Sequence, residues 1–307
     1  MPEMVASCGC VFMVSRRAQK VCDTIQYTGS RRLQDTVLLD DQRCDGAAHG
    51  GCQAECRFYW KEQWLRPLAP GEEPRAVADP EGVRLLQERL APHVRRLEQR
   101  NGLPVETHRC QATDLLRAST RYRLWEPGQY VREVTSGNVA PLRFARVMVR
   151  ALAWETRRKA GLLPEVHLAG TRVEPAPDET LGLRPGDWVE VKRPEELRSA
   201  LTAAGRNRGL WFDREMLQYC GRRFRVRRRI SRFIDDRNGK MVELKTDAVT
   251  LEGVTCTGEY SARRWFCPRA VYPYWRESWL RRVEGPGDTG EETPGDGPRV
   301  RAASSGR

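Results

Sequence analysis

The stretch MVASCGCVFMVSRR, residues 4–17, reappears as MLQYCGRRFRVRRR at residues 216–229. Met4, Cys8, Gly9, Phe12, Val14, Arg16 and Arg17 each match the residue 212 positions later, and Asp23 and Cys44 keep the same offset to Asp235 and Cys256. After a three-residue insertion the offset becomes 215, and Cys52, Trp60, Glu62, Trp64 and Leu65 match Cys267, Trp275, Glu277, Trp279 and Leu280. Cysteine and tryptophan are rare, so their coincidence at a fixed offset identifies an internal repeat, and a repeat sets the architecture before any other reading. Residues kept by both copies are expected to be scaffold. Residues present in only one copy are the better candidates for function.

The rest of the chain divides around these copies. Residues 1–70 form a Cys-rich module, 71–182 a linker and helical segment, 183–284 the second module, and 285–307 a Gly-, Pro- and Ser-rich tail expected to be disordered. Asp79-Pro80 starts a helix, an Asp cap followed by Pro at the first helical position. Val83, Leu86, Leu90, Val94 and Leu97 continue it at three- and four-residue spacing. Pro92 is expected to kink this helix and Asn101-Gly102 to end it. A second helix spans 140–160 and stops at Gly161. Trp188–Val191, Phe224–Ile234, Met241–Leu244 and Ala248–Leu251 read as strands, with a hairpin turn at Asn238-Gly239. The first copy has no counterpart of the Pro185-Gly186-Asp187 turn and its strand, so it is expected to borrow from a neighbour. The predicted fold class is α+β, with two small, mostly-β, barrel-like modules of the Src-homology-3 type flanking a helical segment.

Composition bounds the function. The chain has 307 residues, 31% of them charged, and a net charge of +12, which suits an anionic partner. Of its 53 basic residues 47 are Arg, and this abundance is equally the mark of a GC-rich coding sequence that fills ordinary surface positions with Arg. No window approaches the ~18 apolar residues of a spanning helix. The N-terminal stretch lacks a basic region ahead of its short apolar run, so a cytoplasmic location is expected. Ten cysteines in that compartment read better as metal ligands or buried thiols than as disulfides.

Three constellations carry possible chemistry. The first is Cys44-x4-His49-x2-Cys52-x3-Cys56, with Cys22 as an alternative ligand. If Cys52 opens a helix, Cys52, Cys56 and Trp60 share one face. Four S and N donors of this kind suit tetrahedral zinc in a structural role, although the spacing is not that of a standard zinc ribbon. The plain alternative is a set of small buried residues. The second copy has no equivalent of His49, and Val271 stands where Cys56 would be. Cys110, beside His108 in the middle segment, could complete such a site from outside.

The second constellation is the strand CGRRFRVRRRISRF. Phe224, Val226 and Ile230 fall on one face, and Arg223, Arg225, Arg227 and Arg229 on the other. Four cations in a row can track phosphates, or can simply protect an edge strand. The third is aromatic. The duplicated Trp60/Trp64 and Trp275/Trp279 read as core anchors, whereas Trp265 and Tyr272 occur in one copy only and could stack on nucleic-acid bases.

The phrases RPGDWVEV, GRNRGLWFDREMLQYCG, FCPRAVYPYWRESWL and CDGAAHGGCQAEC resemble a family of uncharacterised bacterial Cys-containing proteins with duplicated modules. The resemblance runs from Met4 to about Val283 and implies no activity. The functional expectation is a zinc-stabilised, non-enzymatic binding protein that engages nucleic acid or another anionic partner through its Arg-rich strand. The alternative is a metal- or thiol-dependent enzyme or accessory factor in a bacterial biosynthetic pathway.

Overall fold

Short antiparallel strands dominate both repeated segments. The structure is a computed structural model and describes residues 1–72, 79–123, 125–163, 168–174, 180–261 and 263–285. The expected tail and part of the linker lie outside these residues. The first segment contributes β1 (Val14–Arg17), β2 (Lys20–Cys22), β3 (Ser30–Arg32), β4 (Thr36–Leu39) and β5 (Trp60–Lys61). The middle contributes α1 (Pro80–Leu90), β6 (Arg95–Arg100), β7 (Leu103–His108), α2 (Leu115–Ala118), β8 (Thr120–Arg121), α3 (Gly128–Thr135) and α4 (Pro141–Lys159). Then follow β9 (Trp188–Val191), α5 (Pro194–Leu197), β10 (Arg206–Asn207), β11 (Leu210–Trp211), β12 (Arg223–Ile234), β13 (Met241–Leu251) and β14 (Leu280–Arg282). The sheets run β1-β4-β5, β2-β3-β8, β13-β12-β9-β14, β6-β7 and β10-β11, every pair antiparallel. The class is α+β.

The two segments that match in sequence also match in hydrogen bonding. Val14, Arg16 and Arg17 pair with Leu39, Leu38 and Val37, and Val226, Arg228 and Arg229 pair with Leu251, Thr250 and Val249. A bulge follows the first pair in each. The Cys44 amide donates to the Cys56 carbonyl at 2.8 Å, as the Cys256 amide does to that of Val271 at 2.8 Å. Arg17–Glu62 at 2.6 Å has its counterpart in Arg229–Glu277 at 2.7 Å.

The segments differ at one edge. In the second, β9 is inserted between β12 and β14, and its Val189 and Val191 complete a core with Phe212, Met216, Trp275 and Trp279. Among the described residues of the first segment no strand takes that place. Val11 and Met13 are therefore 50% and 74% exposed, and Trp64 is 57% exposed where Trp279 is fully buried. The expectation of duplicated core anchors holds for Trp60 and Trp275 but fails for Trp64, which has lost the strand that would cover it.

The middle segment contains more strand than its periodicity suggests. The helix expected to run on to Asn101 stops at Leu90, and Arg95–Arg100 instead pairs with Leu103–His108. Asn101 and Gly102 both have positive φ, 52° and 77°, the geometry of a two-residue hairpin turn. Apolar residues three or four apart cannot distinguish this hairpin from a helix. The segment touches both repeats. β8 pairs with β3, while α4 stacks Phe144 on Phe266 at 5.2 Å and sends Arg143 and Arg150 to Glu259 at 2.6 and 3.0 Å. The His108 amide donates to the Gly239 carbonyl at 2.7 Å. No helix among the described residues is long and apolar enough to cross a membrane.

The segments also meet each other reciprocally. The Cys22 amide at the end of β2 donates to Cys267 Sγ at 3.1 Å, and the Ile234 amide at the end of β12 donates to Cys52 Sγ at 3.4 Å. Donors and acceptors are each other's counterparts in the repeat, so every segment caps the other's cysteine. Thr24 donates to its own counterpart, Asp236, at 2.8 Å. Arg43 bridges the carbonyls of Glu55 and its counterpart Ala270, both at 2.9 Å. This is the contact pattern of a two-fold interface, here within one chain.

Two stability predictions follow from burial. Trp279→Ala should cost about 3–5 kcal/mol and Trp64→Ala less than ~1 kcal/mol by equilibrium urea unfolding, because only the former leaves a core cavity. Equal costs would refute the assigned asymmetry. Lys20 is 2% exposed, and its ammonium lies over the rings of Tyr130 and Phe266. Burial pulls its pKa down to about 8 against the opposing pull of Glu133. The unfolded chain thus binds the extra proton between pH 8 and the ordinary lysine value of 10.5, so stability should rise with pH across that window. The gain should reach ~3 kcal/mol relative to Lys20→Met. Parallel pH profiles for the two proteins would contradict it.

Candidate metal centre

Residues 44–56 form a loop that doubles back on itself. Gly46 has φ +76°, and a Cβ there would lie 1.9 Å from the Cys52 carbonyl oxygen, so only glycine fits. Its own carbonyl accepts from the His49 and Gly51 amides at 2.9 and 3.0 Å. Gly50, Gly51 and Glu55 also have positive φ. Left-handed backbone at these positions excludes the helix expected to open at Cys52, so Cys52, Cys56 and Trp60 are not one helical face. The cysteines are instead gathered by the folded loop.

The loop closes on the N-terminal 3-10 helix, Pro2–Ser7. Glu3 Oε1 accepts from the Ala48 amide at 3.2 Å and lies 2.5 Å from His49 Nδ1. His49 Nε2 lies 3.3 Å from the Arg109 carbonyl, which can only accept, so Nε2 carries a proton. Nδ1 and the Glu3 oxygen therefore share a proton across this short contact, and a metal held by both would replace that proton. Glu3, Cys44 and His49 place their donor atoms within 4.8 Å of one another and could hold a metal ion. His49 is 1% exposed, and Glu3 Oε2 is buried without a hydrogen-bond partner.

The second segment holds the equivalent carboxylate in a different setting. Glu215 is the counterpart of Glu3, and all its acceptor positions are occupied. Oε1 accepts from the Tyr260 and Ser261 amides at 2.7 and 2.9 Å, and Oε2 from the Thr257 amide and hydroxyl at 3.1 and 2.9 Å. Tyr260 and Ser261 are the counterparts of Ala48 and His49. The same carboxylate is thus satisfied in one segment and half-orphaned in the other, where His and Cys stand beside it.

Cys52, Cys56 and Cys110 join Cys44 and His49 around a cavity of about 30 Å³, room for about one ion or water. Burial pushes the thiols of Cys44, Cys52 and Cys110 up, and that of Cys56 up to about 12. Burial alone would raise the Glu3 carboxyl too, but hydrogen bonds from His49 and from backbone amides outweigh it and hold the group below its ordinary value. Metal binding would displace protons from the thiols. Cys110 arrives from the middle segment, held by its amide bond to Thr113 Oγ1 at 2.9 Å and by the neighbouring His108–Gly239 contact.

Other expected site residues are placed differently. Cys22, read as an alternative ligand, stands against Cys267 because the strand ends are exchanged between segments. The expected row of four arginines is broken by the bulge after Val226. Arg227 and Arg228 pair with Glu55, and Arg229 with Glu277 and Asp247. Arg223 has Glu190 at 3.8 Å, and Arg225 is exposed. Trp265 is buried with Val139, Val147 and Phe266, which removes it from any stacking surface. Tyr272 already carries the guanidiniums of Arg43 and Arg227, each 4.4 Å from its ring centre.

Glu3 was missed by the sequence reading, although it recurs as Glu215 at the same 212-residue offset as Met4 and Met216. The chain matches no protein-family model, no curated protein and no solved structure.

Proposed function

We propose that residues 4–66 and 216–281 are two copies of one barrel-like module, and that the chain is a zinc-stabilised binding protein built on their pairing. The observation that carries this reading is the contrast between Glu3 and Glu215. Glu3, Cys44 and His49 supply O, S and N donors, a mixture zinc accepts, and one of the adjacent thiols of Cys52, Cys56 or Cys110 supplies the fourth. Such a centre is closed, so its role is structural. It ties the N-terminal helix, the 44–56 loop and the middle segment at Arg109–Cys110 into one unit. Protein purified without added zinc should hold about one zinc per chain, and Glu3→Gln or Cys44→Ser should lower that occupancy severalfold. Metal below half an equivalent in the unaltered protein would remove the proposal.

The anionic partner is narrowed to part of the predicted Arg strand. Arg227 and Arg229 are engaged by internal acids and act as structural ties. Arg223 and Arg225 point from the same face of β12 and are the residues available to a phosphate backbone, with nucleic acid the partner of choice. Arg223→Ala and Arg225→Ala should each weaken DNA or RNA binding and lower the salt slope by about one. Arg229→Ala should instead lower the unfolding midpoint. Binding that is absent or insensitive to salt would contradict this assignment.

A further inference from the structure

The second cysteine cluster is chemically unlike the first. At the exchanged strand ends Cys52 faces Ile234, whereas Cys267 faces Cys22, so only here do two sulfurs oppose each other across the module interface. The Cys22 amide donates to Cys267 Sγ at 3.1 Å, and both side chains line one cavity. Both residues are buried, at 8% and 4% exposure. Cys256 lines the same cavity of about 230 Å³, which reaches the surface beside the 42%-exposed Trp211. The half-buried Arg264 lines that cavity with Asp213 and Glu215, and the buried Arg269 is hydrogen-bonded to Thr24 and Asp236.

The geometry points to a redox-active dithiol at Cys22 and Cys267 that reduces small hydroperoxides and closes a disulfide between the two modules. The two thiols divide the work. The neighbouring Cys267 thiol pulls Cys22 below its ordinary value against burial, helped by Arg269 and Arg264. Burial, together with donation to Cys22, pushes Cys267 well above its ordinary value, so it keeps its proton. A thiolate beside guanidiniums with access to a cavity is the arrangement that makes a cysteine reactive.

The Cys22 thiolate attacks one peroxide oxygen, and the O–O bond breaks. Cys22 becomes a sulfenic acid, and the departing hydroxide takes a proton from water-accessible surroundings. Cys267 then gives up its proton and its sulfur attacks the sulfenic sulfur. The S–O bond breaks, hydroxide leaves and takes up that proton as water, and the S–S bond forms. The two sulfurs lose two electrons, which the peroxide oxygens gain, and two waters result. A dithiol reductant returns the pair to its starting state by exchange.

The test uses the full chain, reduced and freed of excess thiol, with one equivalent of hydrogen peroxide. Peptide mapping without reduction should find residues 22 and 267 cross-linked ahead of any other cysteine pair. Cys267→Ser should leave a sulfenic acid at Cys22 that dimedone traps, and Cys22→Ser should leave Cys267 unreacted. Both variants should keep the metal content of the unaltered protein, which separates this proposal from the zinc site. Peroxide consumption should already run at pH well below the ordinary thiol value of 9.0. First oxidation at Cys44, Cys52, Cys56 or Cys110, or a rate that rises only above pH 8, would overturn it.

Discussion

Two backbone hydrogen bonds to sulfur organise this protein: Cys22 N–H to Cys267 and Ile234 N–H to Cys52. Each joins the strand end of one segment to the cysteine loop of the other. Each loop is thus anchored in part by the other segment. The glycines that fold those loops obey the same logic. Gly46 and Gly258 stand at equivalent positions, and a Cβ on either would strike the backbone of Cys52 or Cys267. Interface and loop geometry are therefore one constraint. The exchange also brings Arg43, Thr24 and Asp236 to the line between the segments, where each bridges equivalent groups.

Within that shared frame the chemistry diverges through very few residues. An acid in the short helix ahead of the first strand is kept by both segments. In the second it is saturated by amides and a hydroxyl and acts as a loop brace. In the first, the Ala48 amide and the His49 ring meet one oxygen and the other is left without a partner, so that with Cys44 the acid forms a set that could hold a metal. The Ile234/Cys22 difference works similarly, giving an aliphatic neighbour to one cysteine and a thiol to the other. Two sites of distinct character thus arise from substitutions in a common scaffold, and burial supplies the low-dielectric surroundings that make each substitution matter.

Much of the fold was legible because its markers are rare or local. Paired Cys and Trp residues pointed to segments that share strand pairing, and Asp79-Pro80, Gly161 and Asn238-Gly239 punctuated the chain where the structure does. Asn101-Gly102 misled, since Val94 and Leu97 fit a helix as well as a hairpin. The site was only partly readable. Of the spaced set, Cys44 and His49 come together with Glu3, whereas Cys52 and Cys56 only line the neighbouring cavity, and Glu3 looks like any surface acid until it is aligned with Glu215. Cys110, expected to reach the site from the middle segment, does line the same cavity. Cys22 was assigned to its own segment because a sequence does not show that strand ends are exchanged. The Arg strand was read at strict period two, and the bulge after Val226 broke that register.

The central claim is that a metal joins Glu3, Cys44 and His49. X-ray absorption at the zinc edge of the purified protein tests it most directly. The account predicts a mixed first shell, with nitrogen and oxygen at about 2.0–2.2 Å and sulfur at about 2.3 Å, and a loss of light-atom scattering in Glu3→Gln. An all-sulfur shell, or a shell unchanged by that substitution, would contradict it.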